Sequence, residues 1–268
     1  MLDKLSLYFF YYLIIVILFF ALKGKKLPET GEFLEVSIWR EQNGDGHFET
    51  FQVPRRENQT ILDVVAWVQQ QADPTLSYRF ACRVGMCGSC AMMVNGAPRW
   101  TCRTHVQKVA KDKRLEIAPL RNLPVIKDLA VDMDPFFDKW VAAEAVFEPS
   151  QTRDDPMAPI SPEDPMRIAA SDAIECINCA VCYAACDVVA ANPDYLGPAA
   201  LNRAWSLVND SRDNGQDARL RAVSTEGGCH NCHAQQGCAR YCPNELNPTL
   251  SISGLKRATA KSLLGWGR

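Results

Sequence analysis

The chain lacks an excess of either charge, with 29 Lys and Arg against 31 Asp and Glu and a formal net charge of −2 over 268 residues. That balance argues against a nucleic-acid binder and against a polyanionic tail. No Gly-x-Gly-x-x-Gly follows a strand-like segment, so any flavin or dinucleotide in the system belongs to another chain. No repeat of fixed period appears. Hydrophobic residues make up 47% of the sequence, enough for ordinary cores in two domains.

What the chain does have is cysteine, twelve in all. Four form Cys82-x4-Cys87-x2-Cys90-x11-Cys102, and eight form Cys176-x2-Cys179-x2-Cys182-x3-Cys186 and Cys229-x2-Cys232-x5-Cys238-x3-Cys242. A loop with Cys at every third residue turns successive sulfurs toward one centre and points backbone N–H groups at it, as an iron–sulfur cluster requires. Two other uses of cysteine fit less well. A disulfide framework belongs to small, core-poor domains in oxidising compartments. Zinc accepts Cys-x2-Cys pairs but has no use for a third Cys at the same spacing and then Cys186 beyond it. Persistent thiolates point to the reducing side of a membrane.

The cysteines divide the chain. Residues 31–130 hold the first four, a Pro- and Asp-rich stretch runs from Glu148 to Met166, and residues 131–268 hold the other eight. Residues 1–30 form an apolar extension in which Leu7–Leu22 carries no charge and is followed by Lys23, Lys25 and Lys26. This run reads as a short transmembrane anchor with its lysines on the cytoplasmic side, or as translation from a start placed too far upstream. The second reading is preferred on composition. Residues 1–26 contain four Lys and no Arg, whereas residues 27–268 contain seven Lys and eighteen Arg. A cleavable export signal fits poorly, because Ala21-Leu22-Lys23-Gly24 offers no small-x-small site.

In the first domain, Phe33–Arg40 and Phe48–Val53 read as strands joined by a turn through Asn43-Gly44-Asp45-Gly46. Ile61, Val64, Val65 and Val68 recur at helical spacing, with Asn58 or Thr60 available as the cap. Gly85 and Gly88 lie within the loop of Cys82, Cys87 and Cys90, where the backbone must pass close to a cluster. Ala91–Val94 is an apolar strand that turns at Asn95-Gly96 and leads back to Cys102, and a last strand is expected near Leu115–Ile117. Two strands, a helix, a ligand loop, a hairpin and a final strand make the order of a plant-type ferredoxin. Its [2Fe–2S] signature assigns Cys82, Cys87, Cys90 and Cys102 as ligands.

The second domain is expected to be all-helical, with helices over Ser171–Cys176, Pro198–Val208 and Leu250–Leu264 and a turn at Asp210–Gly215. By the crossed pattern of two-cluster ferredoxins, Cys176, Cys179, Cys182 and Cys242 would hold a [4Fe–4S] cluster. Cys186, Cys232 and Cys238 would hold the other. Gln235 stands where a fourth thiolate belongs, so that cluster is expected to be [3Fe–4S].

From about residue 33 onward the chain resembles the iron–sulfur subunit of succinate dehydrogenase and quinol:fumarate reductase. The residues that carry the likeness are Ser77–Cys90, Cys176–Cys186, Gly197-Pro-Ala-Ala-Leu201, Asp210-Ser-Arg-Asp213 and Cys242-Pro-Asn-Glu-Leu-Asn-Pro248. Cys176–Cys186 looks nearer to fumarate reductases. The fold class implied is α+β, a β-grasp [2Fe–2S] domain followed by a helical ferredoxin-type domain. The resemblance also implies a covalently bound FAD in a flavoprotein subunit, then [2Fe–2S], [4Fe–4S] and [3Fe–4S], then a quinone held with a membrane anchor subunit. The chain would sit peripherally on the cytoplasmic face of the inner membrane. Lys256, fourteen residues after Cys242, and His233 match quinone-side positions of the family.

Three positions depart from it. Asp187 replaces a usual Pro, Gln235 replaces a usual apolar residue, and Cys229 is additional. Cys229 reads either as an inert packed thiol or as a fourth ligand that would make the last cluster [4Fe–4S]. An iron–sulfur subunit of another flavoprotein-linked reductase, with no quinone partner, is the alternative function.

Overall fold

A computed structural model describes residues 31–157 and 159–265. The 1–30 extension and its possible membrane anchor lie outside the described residues. Among those described, no helix is long and apolar enough to cross a membrane.

The first half is a five-stranded sheet crossed by one helix. Strands β1 (Phe33–Gln42) and β2 (Asp45–Pro54) pair antiparallel with Phe33 opposite Pro54. Strand β2 starts three residues ahead of the expected Phe48, since the turn needs only Asn43 and Gly44, both at positive φ. Strands β3 (Ala91–Val94), β4 (Ala97–Trp100) and β5 (Arg114–Ala118) complete the order β2-β1-β5-β3-β4, with β5 parallel to β1. Helix α1 (Ile61–Trp67) is capped by Thr60, whose hydroxyl accepts from the Asp63 N–H at 3.2 Å, while the Asp63 carboxylate accepts from the Thr60 N–H at 2.9 Å. Its apolar stripe of Ile61, Val64, Val65 and, just beyond it, Val68 is fully buried against Leu34, Val36 and Ile38, the inward set of β1.

Strand β3 explains its own lack of alternation. Met92 and Val94 pack into the core beneath α1, while Ala91 and Met93 face a second core formed with the helical half. Both faces are covered, so all four residues are apolar and buried. A hairpin of β6 (Val125–Lys127) and β7 (Ala130–Val131) follows a short helix α2 (Val106–Val109) and leads into α3 (Asp134–Ala142).

The helical half is built around α7 (Gly197–Val208), buried along most of its length. Helix α4 (Pro165–Ile174) starts six residues ahead of the expected Ser171, because Asp164 caps it by accepting from the Met166 and Arg167 N–H groups and Pro165 occupies its first turn. Four short helices were not expected: α5 (Val181–Ala184), α6 (Asp187–Ala191), α8 (Gln216–Ala222) and α9 (Gly237–Arg240). Three of them span one turn, and α8 offers only Leu220 as a large apolar residue, so none shows a 3.6-residue apolar period. The last helix, α10 (Pro248–Leu263), packs on α7, with Asn247 as its cap.

One buried ion pair ties the Pro- and Asp-rich stretch to this core. Arg219, 1% exposed, meets Asp213 at 2.7 Å and donates to the carbonyls of Glu144 and Val146, both at 2.8 Å. Asp213 also accepts from the Glu148 N–H. The Asp210–Gly215 turn therefore fastens the chain at Glu148 to α8.

Candidate iron–sulfur sites

Three sulfurs of the first group, those of Cys82, Cys87 and Cys90, lie in the loop between α1 and β3, and Cys102 joins them from just after β4. Arg83, Gly85 and Gly88 take positive φ there, curling the backbone so that its amides point inward. The Cys82 sulfur accepts from the N–H groups of Val84 at 3.4 Å and Met86 at 3.3 Å, and the Cys102 N–H donates to the Cys90 sulfur at 3.5 Å. The Cys87 sulfur is met by the Cys82 N–H and the Ser89 hydroxyl, and these hold its thiol down to about 6. Cys87 thus presents a thiolate at neutral pH. Cys102 is the opposite case, pushed up to about 12 first by burial, so it gives up its proton only when a cation repays the loss.

Gly88 is one point where the two halves touch. A Cβ on this residue would lie 2.8 Å from the Cα and Cβ of Cys179 and from the carbonyl oxygen of Ile177. With φ at +71°, the position suits glycine on two independent counts.

Cys176, Cys179, Cys182 and Cys242 line one cavity. Cys186, Cys232 and Cys238 line another, with Gln235, His233 and Tyr195. The loops beneath them share one backbone device: Asn178 and Ala180 in the first, Ala234 and Gln236 in the second, all have positive φ. Superposing that pattern sets Gln235 opposite Cys179. Burial pushes up the thiols of Cys176, Cys179 and Cys182 in the first cavity, Cys179 to about 12 and Cys182 well above its ordinary value, and those of Cys186 and Cys238 in the second. Among the described residues no three or more His, Cys, Asp or Glu close on a single metal ion, which would draw its sulfurs to about 2.3 Å from one point.

The remaining expected residues are placed as follows. Cys229 is fully buried and turns to the Thr259 hydroxyl at 3.9 Å, and it does not line the Cys186 cavity. His233 is exposed at that cavity's edge. Lys256, on α10, donates from Nζ to the Cys232 carbonyl at 2.7 Å. The sequence reading missed Ser89, Thr249, whose hydroxyl is 3.3 Å from the Cys238 sulfur, and Tyr195. Ser89 lies inside the Ser77–Cys90 motif, whereas Thr249 and Tyr195 sit in helix and loop positions with no metal-ligand spacing to mark them.

Residues 34–138 match the family model of a 2Fe-2S iron-sulfur cluster binding domain, and residues 175–247 that of a 4Fe-4S dicluster domain. Fold and sites together define a multi-cluster iron–sulfur protein. The fumarate reductase iron-sulfur subunit of Haemophilus influenzae is 32% identical, over 85% of this chain and 93% of that one. That of Mycobacterium tuberculosis is 34% identical, over 87% and 97% respectively. The mitochondrial succinate dehydrogenase [ubiquinone] iron-sulfur subunit 1 of Oryza sativa subsp. japonica is 35% identical over 74% of this chain and 70% of its own length. A chain of the Mycobacterium smegmatis Sdh1 complex in the apo form has the same fold, with a TM-score of 0.77 at 24% identity over 86% of this chain and 97% of that one. The chain belongs to the family of fumarate reductase and succinate dehydrogenase iron–sulfur subunits.

Proposed function

We propose that the chain carries electrons between a flavoprotein subunit, which holds the FAD and the dicarboxylate chemistry, and a quinone held with membrane anchor subunits. Cys82, Cys87, Cys90 and Cys102 hold a [2Fe–2S] cluster, Cys176, Cys179, Cys182 and Cys242 a [4Fe–4S] cluster, and Cys186, Cys232 and Cys238 a [3Fe–4S] cluster. The observation that carries this reading is the exchange between the two cavities, in which Cys242 stands with the first run and Cys186 with the second. Gln235, opposite Cys179, leaves the last site one thiolate short, and Cys229 faces away from it.

When bound, the clusters supply one-electron carriage. The chain's residues supply the spacing and the surroundings. Gly88 lets the first ligand loop rest on Cys179, and Cys182 lies close enough to Cys238 to feel its charge, so the three sets of sulfurs follow one another through the fold. Phe80, Val84 and Met86 form an exposed apolar surface around the first set, suited to the flavoprotein. At the other end Lys256 is tied to the Cys232 backbone and His233 stands exposed, which supports placing the quinone there. The chain is peripheral, on the cytoplasmic face of the membrane, and divides near residue 130.

EPR on the assembled complex tests this. Oxidised protein should show a [3Fe–4S] signal. Cys242→Ser should alter the [4Fe–4S] signal and keep the [3Fe–4S] one, and Cys186→Ser should do the reverse. Absence of the oxidised signal, or the opposite pattern in the two variants, refutes the assignment.

A further inference from the structure

Tyr195 sits between α6 and α7 in a tightly held turn. Its N–H donates to the Asn192 carbonyl at 3.1 Å, and the next residue, Leu196, donates to the Gly227 carbonyl at 2.8 Å. The Asn192 side chain in turn accepts from the Asp194 N–H at 3.0 Å. The ring is fully buried in the core that also contains Tyr183 and Ile252. Position and orientation are therefore set by the backbone on both sides.

Its hydroxyl is the anomaly. The oxygen is buried and makes no fully formed hydrogen bond among the described residues. Leaving such a group unpaired costs about 1–3 kcal/mol, and a buried Tyr hydroxyl ordinarily finds an acceptor. Tyr195 lines the cavity of Cys186, Cys232 and Cys238. The Cys232 sulfur stands within reach of the phenol, though outside full hydrogen-bond geometry. Two sulfurs of this cavity have polar neighbours of their own: the Ala234 N–H reaches Cys232 at 3.4 Å and the Thr249 hydroxyl stands 3.3 Å from Cys238. The Tyr195 hydroxyl therefore faces ligand sulfur, with Cys232 beside it and no fully formed hydrogen bond among the described residues.

We propose that the Tyr195 hydroxyl donates a hydrogen bond to a sulfur of the cluster held by Cys186, Cys232 and Cys238, and so sets how readily that cluster takes up its electron. This rests on reading the cavity as a [3Fe–4S] site. Reduction adds negative charge to the cluster sulfurs, so a donor stabilises the reduced state more than the oxidised one and raises the reduction potential.

The test is an EPR-monitored redox titration of the oxidised [3Fe–4S] signal in the assembled complex, comparing the wild-type protein with Tyr195→Phe. At the wild-type midpoint, the ratio of reduced to oxidised cluster should fall about tenfold in the variant, a downward shift of about 59 mV for one electron. Signal intensity per protein should be unchanged. Replacing Tyr195 by 3-fluorotyrosine keeps the ring and makes the hydroxyl a stronger donor, so the midpoint should move the other way. A Phe variant with full signal and an unchanged or raised midpoint overturns the proposal. If the Phe variant fails to assemble the cluster, a fluorotyrosine protein with the wild-type midpoint overturns it equally. Loss of the signal in wild-type protein would refute the cluster reading itself, a different outcome from either.

Discussion

Replacing Gly88 by Ala should separate two electron-transfer loops that the fold holds in contact. Two costs combine. An L-residue at φ +71° loses about 1–2 kcal/mol relative to glycine. The new Cβ also meets the Cys179 Cα and Cβ and the Ile177 carbonyl oxygen at 2.8 Å, where ordinary contact begins at 3.4 Å. All three atoms are backbone or the first side-chain carbon of a buried residue, so none can swing aside, and such overpacking costs about 1–3 kcal/mol. The sum is about 2–5 kcal/mol. Gly44 supplies the control, since it has φ +87° with nothing within 4 Å of a built Cβ, and Gly44→Ala should show the backbone cost alone. Urea midpoints of the two variants, followed by cluster absorbance, measure the difference. Power saturation of the reduced [2Fe–2S] EPR signal reports whether the neighbouring centre has moved away. If Gly88→Ala costs no more than Gly44→Ala, the contact between the loops is not as described.

Two further outcomes concern the scaffold. Arg219→Leu leaves the buried Asp213 carboxylate without its cation and two carbonyls without their donor, and should lower stability by about 3–5 kcal/mol in chemical denaturation. A loss below 1 kcal/mol would mean that the pair is solvated. In the first domain, the Asp73 carboxyl is held down to about 2, first by its hydrogen bond from Arg40 and then by Thr75. A carboxylate with a depressed folded value contributes stability that is present above about pH 4 and is lost as pH falls toward 2. Solvent screening keeps this to about 1 kcal/mol. Asp73→Asn should therefore be less stable than wild type at pH 7 and equal to it near pH 2, and a constant difference across that range would refute the linkage.

The parts legible in the sequence were those governed by local rules. The β1–β2 hairpin follows from its alternation and its Asn43-Gly44 turn, α1 from its valine stripe and Thr60, and α7 from its long apolar segment. The short helices α5, α6, α8 and α9 were not legible, because one turn shows no period, α8 carries only Leu220 as a large apolar residue, and each is stabilised by what it packs against. Strand β3 was recognised as apolar, but its double burial between two cores was not.

Spacing along the chain determines which cysteines can share a loop, because a loop is held by its own backbone angles and amides. The sequence by itself therefore determined the β-grasp order, the family and the short count of cysteines around Gln235. Tertiary structure decided which loops meet. That Gly88 rests on Cys179, that Cys229 turns toward Thr259 on α10, and that the Tyr195 hydroxyl ends unpaired in a cysteine-lined cavity all depend on contacts between residues more than 25 positions apart. Those contacts come from packing of elements distant in sequence, within the helical core and between it and the first ligand loop, and no local pattern encodes them.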